Sequence, residues 1–299
     1  MNLGNRIVNR IKRLVSPPPV RERIVVRTID SDERRQSPPC FLIGVYRSGT
    51  TLLRFVLDSH SNIAVPPETN FLYEMADLYR SEWVRKGLTG AGVDEAGMRT
   101  LLKEFSAGIL DNYAVAKEKG RWIDKTPAYI DILDFLNFLY GKECKYIMLY
   151  RNGLDVANSL AGMYERNDLG GPAKIFADNM TGSPRVIFAK YWAEQCEKML
   201  SYEETHSGQC HRIHYESFVL EPQKILPPLF EFIDEPWEPD VLKFNDRQHD
   251  FGLQDSHIAG TNTFVPRIKT YKNWNKAELS EAMLFASETI RKLGYEVEL

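Results

Sequence analysis

Residues 41–60, FLIGVYRSGTTLLRFVLDSH, decide the fold, because they read as a strand, a glycine-containing loop and a helix in immediate succession. The apolar run 41–43 leads into the loop 44–51, and the apolar-rich stretch 52–57 follows. In the nucleoside-triphosphate loop G-x-x-x-x-G-K-[ST], the lysine reaches the terminal phosphates and the last hydroxyl holds magnesium. Thr50 stands at that lysine position here. The sequence therefore predicts a phosphate-binding loop that differs from the loop of ATP-dependent enzymes.

The rest of the chain alternates short apolar stretches with longer helical ones, which is typical of a parallel sheet covered by helices. Helical stretches are predicted at about 71–118 and 153–205. We predict a P-loop-like three-layer α/β/α fold in a single domain, 37–299, with a central parallel sheet of about five strands. The predicted strands are 41–46, 62–65, 121–124, 145–150 and 211–215.

The composition limits the function classes. The chain has 299 residues, 43% of them hydrophobic, and a formal net charge of -3, which argues against a generic nucleic-acid binder and requires any anion site to be local. Four cysteines without a C-x-x-C pair and without a signal peptide predict a reducing, cytoplasmic location, with neither a disulfide framework nor a zinc site. No apolar run approaches the roughly 18 residues of a membrane span.

Residues 1–36 are predicted to form a separate N-terminal segment and linker. Residues 1–16 place apolar side chains at helical spacing among arginines and lysines, which is typical of a short basic amphipathic helix. A solvated helix is the plainer interpretation, and a weak contact with a membrane surface is the alternative. Prolines 17–19 end any such helix.

Polar side chains stand at or just after the end of each predicted strand. The carboxyl ends of parallel strands meet at one edge of a sheet, where ligands bind, so these residues are predicted to converge. They are residues 47–51, Glu68, Lys125, Arg151, Tyr215 and Glu216.

Arg151 gives the second indication of the ligand. In a magnesium-dependent nucleotidase, a strand end beside the loop presents an aspartate for the metal. A guanidinium there repels a metal ion and attracts a second phosphate. Ser159 lies about two turns along the following helix and can face the same side. The sequence predicts a ligand with two separate phosphate groups and no metal site, and an ordinary structural ion pair is the alternative for Arg151.

Two of these segments resemble sulfotransferases. GVYRSGTTLLRFVLDSH resembles their 5′-phosphosulfate loop, and YRNGLDVANS resembles their 3′-phosphate motif, an arginine followed by a serine eight residues later. The resemblance is closer to the tyrosylprotein and bacterial type, which has arginine in the first loop, than to the cytosolic steroid and phenol type. It implies 3′-phosphoadenosine 5′-phosphosulfate (PAPS) as donor and 3′,5′-ADP as product. The donor-binding residues it implies are Arg47, Ser48, Gly49, Thr50, Thr51, Arg151 and Ser159.

Shorter segments extend the resemblance over about 41–275. PPETNF resembles the G-E-E-T-R segment, whose second glutamate is the catalytic base, and this implies Glu68 as base. DKTP resembles N-K-x-P and implies that Lys125 lies near the leaving oxygen. HYESF implies that Tyr215 contacts the adenosine part of the donor.

The sequence departs from the family pattern in two places. A further arginine, four residues after the motif serine, is replaced by Met163, and Arg166 is the nearest substitute. The C-terminal nucleotide loop is matched only loosely by FVPRIKTYKNW, residues 264–274. Arg267, Lys269 and Lys272 are therefore unranked candidates for contact with the 3′-phosphate.

The resemblance implies an enzyme that moves the sulfuryl group to a hydroxyl acceptor by metal-independent in-line transfer. Lys125 and Arg47 would stabilise the developing charge, and Glu68 would take the acceptor proton. A carboxylate that is merely salt-bridged to the basic loop is the alternative for Glu68. His60 and His257 are other candidate bases. A P-loop nucleotide kinase and a non-catalytic nucleotide-binding protein stay open as alternatives.

The acceptor class is left open by the sequence. A sugar, a lipid, a phenol, a peptide tyrosine or a small metabolite would each supply a hydroxyl, and no nucleic-acid partner is expected. The acceptor pocket is predicted from the helical stretches near 71–118 and 163–190. A homodimer is a further open expectation.

Overall fold

The computed structural model describes residues 38–250 and 264–296. The predicted segment 1–36 and the candidate base His257 lie outside these residues. The described residues contain five parallel strands in the order β2-β3-β1-β4-β5. Their bounds are β1 Cys40–Ile43, β2 Ile63–Ala64, β3 Arg121–Lys125, β4 Lys145–Tyr150 and β5 Cys210–His214.

The central strands are apolar because both faces of the sheet are covered. In β1, Phe41 and Ile43 pack into one core, and Cys40 and Leu42 pack into a second core on the opposite face. Every residue of β1 is buried. Each core lies between one face of the sheet and a layer of helices, which gives the three-layer architecture.

Helices connect the parallel strands and form the outer layers. Their bounds are α1 Thr50–Asp58, α2 Phe71–Arg80, α3 Glu82–Gly90, α4 Glu95–Ala116, α5 Leu133–Tyr140, α6 Gly153–Glu165, α7 Gly171–Asp178, α8 Pro184–Thr205, α9 Tyr215–Leu220, α10 Pro222–Phe232 and α11 Lys276–Lys292. Helices α1, α9 and α10 contribute to the core that contains Cys40 and Leu42, and α2, α4 to α8 and α11 contribute to the other core. Among the described residues, no helix has the length and apolar character needed to cross a membrane.

The predicted fold class is confirmed, with small differences at strand ends. The strand predicted at 41–46 ends at Ile43, and a turn closed by the Ser48 amide on the Val45 carbonyl follows. A Cβ on Gly44 would lie 2.8 Å from the carbonyl oxygen of Leu149, which only glycine allows. The strand predicted at 211–215 ends at His214, and Tyr215 begins α9.

Candidate active site

The loop between β1 and α1 is a tight turn directed at the carboxyl edge of the sheet. Arg47 has φ 72° and Gly49 has φ 96°, both in the left-handed region. The amide of Ser48 donates to the carbonyl of Val45 at 3.0 Å. Thr50 and Thr51 are the first two residues of α1, so the loop leads directly into a helix amino end, which favours an anion.

Ser48 tests whether the loop fits a phosphate-bearing ligand. Its side chain is fully buried, and its hydroxyl has no hydrogen-bond partner within the part of the chain that the structure describes. A buried polar group without a partner is costly, and such groups are rare in folded proteins. An anionic group held by the loop would supply the missing partner, so the residues present fit the predicted ligand.

Arg47 and Ser159 meet although they were predicted to hold different ends of the ligand. The Nε of Arg47 donates to Oγ of Ser159 at 3.0 Å. Ser159 lies on α6, so the contact joins the loop after β1 to the helix after β4. Ser159 faces the loop side, as its spacing from Arg151 predicted.

Arg151 is buried at the end of β4 and links three parts of the site. Its Nη1 donates to the carbonyl of Arg47 at 2.7 Å, and its Nη2 donates to the carbonyl of Arg267. Its guanidinium carbon lies 4.5 Å from the ring centre of Tyr215. In residues 38–250 and 264–296, no carboxylate lies within ion-pair distance of Arg151, and its Nε is buried without a partner. The ordinary ion pair considered for Arg151 is therefore absent from this part of the chain.

Glu68 and Lys125 form a buried ion pair at the same edge. Nζ of Lys125 lies 2.7 Å from Oε1 of Glu68, and the two side chains are 0% and 10% exposed. The other carboxylate oxygen, Oε2, is buried and has no partner among the described residues. A carboxylate with one oxygen neutralised and the other unpaired can accept a proton from a bound hydroxyl.

Arg54 positions the segment that carries Glu68. This fully buried α1 side chain donates from Nε to the carbonyls of Val65 and Pro66, at 3.1 and 3.0 Å. Its Nη2 donates to the carbonyl of Asp250 at 2.7 Å. Arg54 was not predicted as a site residue, although an arginine inside the apolar run of α1 is itself a signal, because a buried guanidinium requires partners.

The segment that contains the C-terminal candidates is held by α6. Asp155 accepts hydrogen bonds from the amides of Lys269 and Thr270, at 2.8 and 2.6 Å. Trp274 donates from its indole to Oδ1 of Asn158 at 2.9 Å. The carbonyl of Arg267 is bound by Arg151, whereas the side chains of Arg267, Lys269 and Lys272 belong to exposed residues. Asp155 was also not predicted as a site residue. Its place in the first turn of a helix was the one feature of the sequence that indicated a special role.

Glu216 connects the ends of β4 and β5. Its carboxylate accepts from the amide of Asn152 at 2.9 Å and from the hydroxyl of Tyr295 at 3.0 Å. Burial raises its pKa above the ordinary glutamate value, although these hydrogen bonds and the charge of Arg151 act in the opposite direction. Glu216 thus fixes the loop of Arg151.

Two further candidates lie away from the edge. His60 is buried at the amino end of β2, where Nε2 contacts the carbonyl of Pro236 at 2.9 Å and Nδ1 accepts from the amide of Asn62 at 3.1 Å. Both ring nitrogens are used, and Glu68 follows the opposite end of that strand. Arg166 ends α6 at the surface, where its Nε pairs with Asp168 at 3.1 Å.

Tyr46 lies beside the start of α7, and Tyr191 belongs to α8. The hydroxyl of Tyr46 approaches Gly171, the first residue of α7. Burial raises the pKa of Tyr46, and the charge of Glu68 raises it further. Burial also raises the pKa of Tyr191, and Tyr46 adds to this effect. Tyr46 therefore lies near both Glu68 and Tyr191.

The described residues contain no group of three or more histidine, cysteine, aspartate or glutamate side chains arranged to hold a metal ion. The cations and hydroxyls of the loop, α6 and the strand ends instead suit phosphate groups.

Comparisons with known proteins identify the family of the chain. The sequence profile described as the sulfotransferase family matches residues 38–239. Protein-tyrosine sulfotransferase A of Caenorhabditis elegans is 28% identical over 224 residues, which cover 71% of this chain and 54% of that protein. Protein-tyrosine sulfotransferase 1 of Danio rerio is 28% identical over 211 residues, which cover 70% of this chain and 56% of that protein. The chain thus spans about half the length of these relatives.

Among solved structures, the sulfotransferase domain from the curacin biosynthetic pathway has the same fold. Its TM-score is 0.60 at 24% identity, and the match covers 88% of this chain and 100% of that domain.

Proposed function

Because the chain belongs to the sulfotransferase family, we propose that it moves the sulfuryl group of PAPS to a hydroxyl acceptor without a metal ion, with Glu68 as the general base. The observation that carries this proposal is the buried ion pair of Glu68 and Lys125 beside the phosphate loop. Lys125 is the register partner of Leu42, two residues before the loop begins. A base and a cation on adjacent strand ends supply what in-line transfer to a hydroxyl requires.

We assign the two phosphate-bearing ends of the donor to different parts of the edge. Residues 47–51 and the amino end of α1 would hold the phosphosulfate. Arg151 and Ser159, both in contact with Arg47, would hold the 3′-phosphate, and Tyr215 would contact the nucleoside. We rank Arg267 above Lys269 and Lys272, because its main chain already contacts Arg151.

The chemistry assigned to the chain is positioning, proton removal and charge stabilisation. As the acceptor oxygen bonds to sulfur, the bond between sulfur and the 5′-phosphate oxygen breaks, and 3′,5′-ADP is the product. Glu68 takes the acceptor proton at Oε2. Lys125 and Arg47 stabilise the negative charge on the leaving phosphate, and they are in place before the reaction.

A phenol is the acceptor to test first. The two relatives described above are named for protein tyrosine, and the partly exposed ring of Tyr46, near Glu68, can pack against an aromatic ring. Sugars, lipids and small metabolites stay in the acceptor panel.

Replacing Glu68 tests the base. We expect Glu68→Gln to lower sulfuryl transfer from radiolabelled PAPS by a factor of about 10² to 10⁴. The affinity for 3′,5′-ADP, measured by calorimetric titration, should change less than about twofold, since the amide is close in size to the carboxylate and leaves the cations of the loop in place. The acceptor panel contains a tyrosyl peptide, a simple phenol, a sugar and a long-chain alcohol, with water as acceptor when none is added.

Glu74→Gln is the matched control, because Glu74 is an exposed residue of α2 and should leave transfer unchanged. Full transfer by Glu68→Gln would remove the base assignment. Binding of 3′,5′-ADP with no transfer to any acceptor by the unmodified protein would favour the non-catalytic alternative.

Replacing Arg151 tests the donor. Arg151→Ala should weaken the binding of 3′,5′-ADP by about 10- to 100-fold, because hydrogen bonds to charged groups contribute about 1.5–3 kcal/mol. Arg291→Ala, at an exposed residue of α11, is the control. Tighter binding of ATP with magnesium than of 3′,5′-ADP would instead support the kinase alternative.

A further inference from the structure

The last two residues of β3 contact two consecutive residues of the segment after β2. Asp124 and Lys125 project to opposite faces of the sheet, because side chains alternate along a strand. Lys125 contacts Glu68, as described above. Asp124 contacts the next residue, Thr69, whose hydroxyl donates to Oδ2 of the carboxylate at 3.0 Å. One strand end therefore reaches both Glu68 and its neighbour.

A tyrosine completes a three-membered network around Thr69. Tyr129 donates to Oδ2 of Asp124 at 3.1 Å and lies 2.9 Å from the hydroxyl of Thr69. Asp124 and Tyr129 are each 0% exposed. The three oxygens are thus within hydrogen-bond distance of one another, and the carboxylate and the phenol are shielded from water. Because each hydroxyl carries one proton and donates it to Asp124, the bond to this carboxylate holds Thr69, and the hydroxyl of Tyr129 lies beside it.

The network is energetically expensive for the fold. Burial raises the pKa of Asp124 to about 6, although hydrogen bonds from Thr69 and Tyr129 and the charge of Lys125 act against this. The second oxygen, Oδ1, is buried with no partner in the part of the chain that the structure describes. An apolar residue of similar size would avoid both costs.

The segment that benefits from this network has no regular structure of its own. Residues 65–70 connect β2 to α2 without helical or strand hydrogen bonding, and Asn70 has φ 55°. Arg54 holds the start of the segment through Val65 and Pro66. Thr69 is bound on the other side of Glu68, so Glu68 lies between two fixed points.

We propose that Asp124 is a positioning residue for sulfuryl transfer, which holds the main chain at Glu68 through the hydroxyl of Thr69 while Lys125 holds the carboxylate. This inference rests on the proposed role of Glu68 as base. Proton transfer requires the base to be within hydrogen-bond reach of the acceptor, and a displacement of about 1 Å can cost on the order of 10²-fold in rate. A network that serves only stability would leave the rate constant unchanged.

The test removes the hydroxyl of Thr69 and keeps the shape of its side chain. Thr69→Val should lower kcat by about tenfold, a part of what the base contributes, while KM for PAPS and the affinity for 3′,5′-ADP change less than about twofold. Thr69→Ser restores the hydroxyl and should return kcat to within about threefold of the original. Asp124→Asn keeps an oxygen that accepts both bonds, and it should also stay within about threefold.

Thr289→Val is the matched control for loss of a buried threonine hydroxyl. Thr289 belongs to α11 and is 2% exposed, and its hydroxyl donates to the carboxylate of Glu197 at 2.8 Å. It should leave kcat unchanged. Transfer is measured from radiolabelled PAPS to the acceptor of the panel with the highest turnover, or to water, and 3′,5′-ADP binding reports that each variant is folded.

The outcomes separate this inference from the proposed function. If Glu68→Gln loses transfer but Thr69→Val keeps kcat within about twofold, the positioning role is overturned and the base assignment stands. If Thr69→Ser is as slow as Thr69→Val, the hydroxyl is not the cause and the inference also fails. If Glu68→Gln keeps full transfer, the proposed base is wrong and the positioning role is overturned with it.

Discussion

Gly49 lies where the loop after β1, α1 and Tyr215 meet. Its φ of 96° is strained for any other residue, and a Cβ there would overlap the ring of Tyr215. That ring in turn lies against the guanidinium of Arg151. The absence of a single side-chain carbon therefore allows the loop to approach the end of β5.

The two effects at Gly49 can be separated by substitution. Gly92 has a similar φ of 87° with no atom near its missing Cβ, so Gly92→Ala should cost about 1 kcal/mol of unfolding free energy from backbone strain alone. Gly49→Ala adds the overlap, and we expect a loss of about 3 kcal/mol or more. Urea unfolding measures both variants.

The same pair of variants links packing to binding. Gly49→Ala should weaken 3′,5′-ADP binding by more than about tenfold, because Tyr215 must move and displace Arg151, whose hydrogen bonds to a charged group contribute about 1.5–3 kcal/mol. Gly92→Ala should bind normally. Equal losses of stability in the two variants, with normal binding in both, would show that the contact between Gly49 and Tyr215 has no part in the site.

At the scale of elements, α1 connects the loop to the strand that precedes Glu68. Asp58, in the last turn of α1, accepts from the amide of Val65 at 2.9 Å and contacts Nδ1 of His249 at 2.6 Å. Lys119 lies 3.6 Å from the same carboxylate. An aspartate at a helix carboxyl end opposes the helix dipole, and these partners offset that cost.

The pH dependence of stability tests this cluster. Burial would raise the pKa of Asp58, but the His249 hydrogen bond, Lys119 and the Val65 amide lower it overall. An aspartate whose folded pKa lies below its unfolded value of about 3.9 stabilises the protein above that pH, and the stabilisation disappears as the pH falls through the folded pKa. Asp58→Asn should thus be less stable by about 3 kcal/mol at pH 7, with a gap that narrows below about pH 4.

Urea unfolding between pH 7 and pH 3 measures that gap. Asp77→Asn, at an exposed residue of α2, should match the original protein throughout. A gap for Asp58→Asn that stays constant with pH would contradict the charge-based explanation.

Strands and their ends could be predicted from the sequence because both depend on local pattern, whereas the helical stretches predicted at about 71–118 and 153–205 each divide into three helices. Short apolar runs predict strands, and the polar residue after each run predicts its contribution to the carboxyl edge, as at Lys125 and Arg151. The contacts of Arg54, Asp124 and Asp155 could not be predicted, because their partners lie far away in the sequence. Arg54 contacts carbonyls 11 to 196 positions away, Asp124 contacts Thr69 at a separation of 55, and Asp155 contacts amides 114 and 115 positions away. Such contacts depend on tertiary packing, which a local pattern does not contain.

At the scale of the whole molecule, the candidate site is assembled from distant parts of the chain. Glu68 follows β2, Lys125 ends β3, the loop follows β1, Arg151 follows β4 and Tyr215 follows β5. Because the strand order is β2-β3-β1-β4-β5, these groups lie along one edge in the order glutamate, lysine, loop, arginine and tyrosine. Segment 264–274 lies against the same edge, because the carbonyl of Arg267 accepts from Arg151 and the amide of Lys269 donates to Asp155.

A ligand that contacts all these parts should stabilise the entire fold. At about 100 times its Kd, a ligand that binds only the folded state adds about 2.7 kcal/mol, and for a chain of this size we expect a rise in Tm of about 5 °C. Differential scanning calorimetry with 3′,5′-ADP measures this shift. Adenosine 5′-phosphate at the same concentration lacks the 3′-phosphate and should give a much smaller rise, and Arg151→Ala should abolish the difference between the two nucleotides. Equal shifts for both nucleotides in the original protein would contradict a separate 3′-phosphate site at Arg151, since the second phosphate would then add nothing to binding.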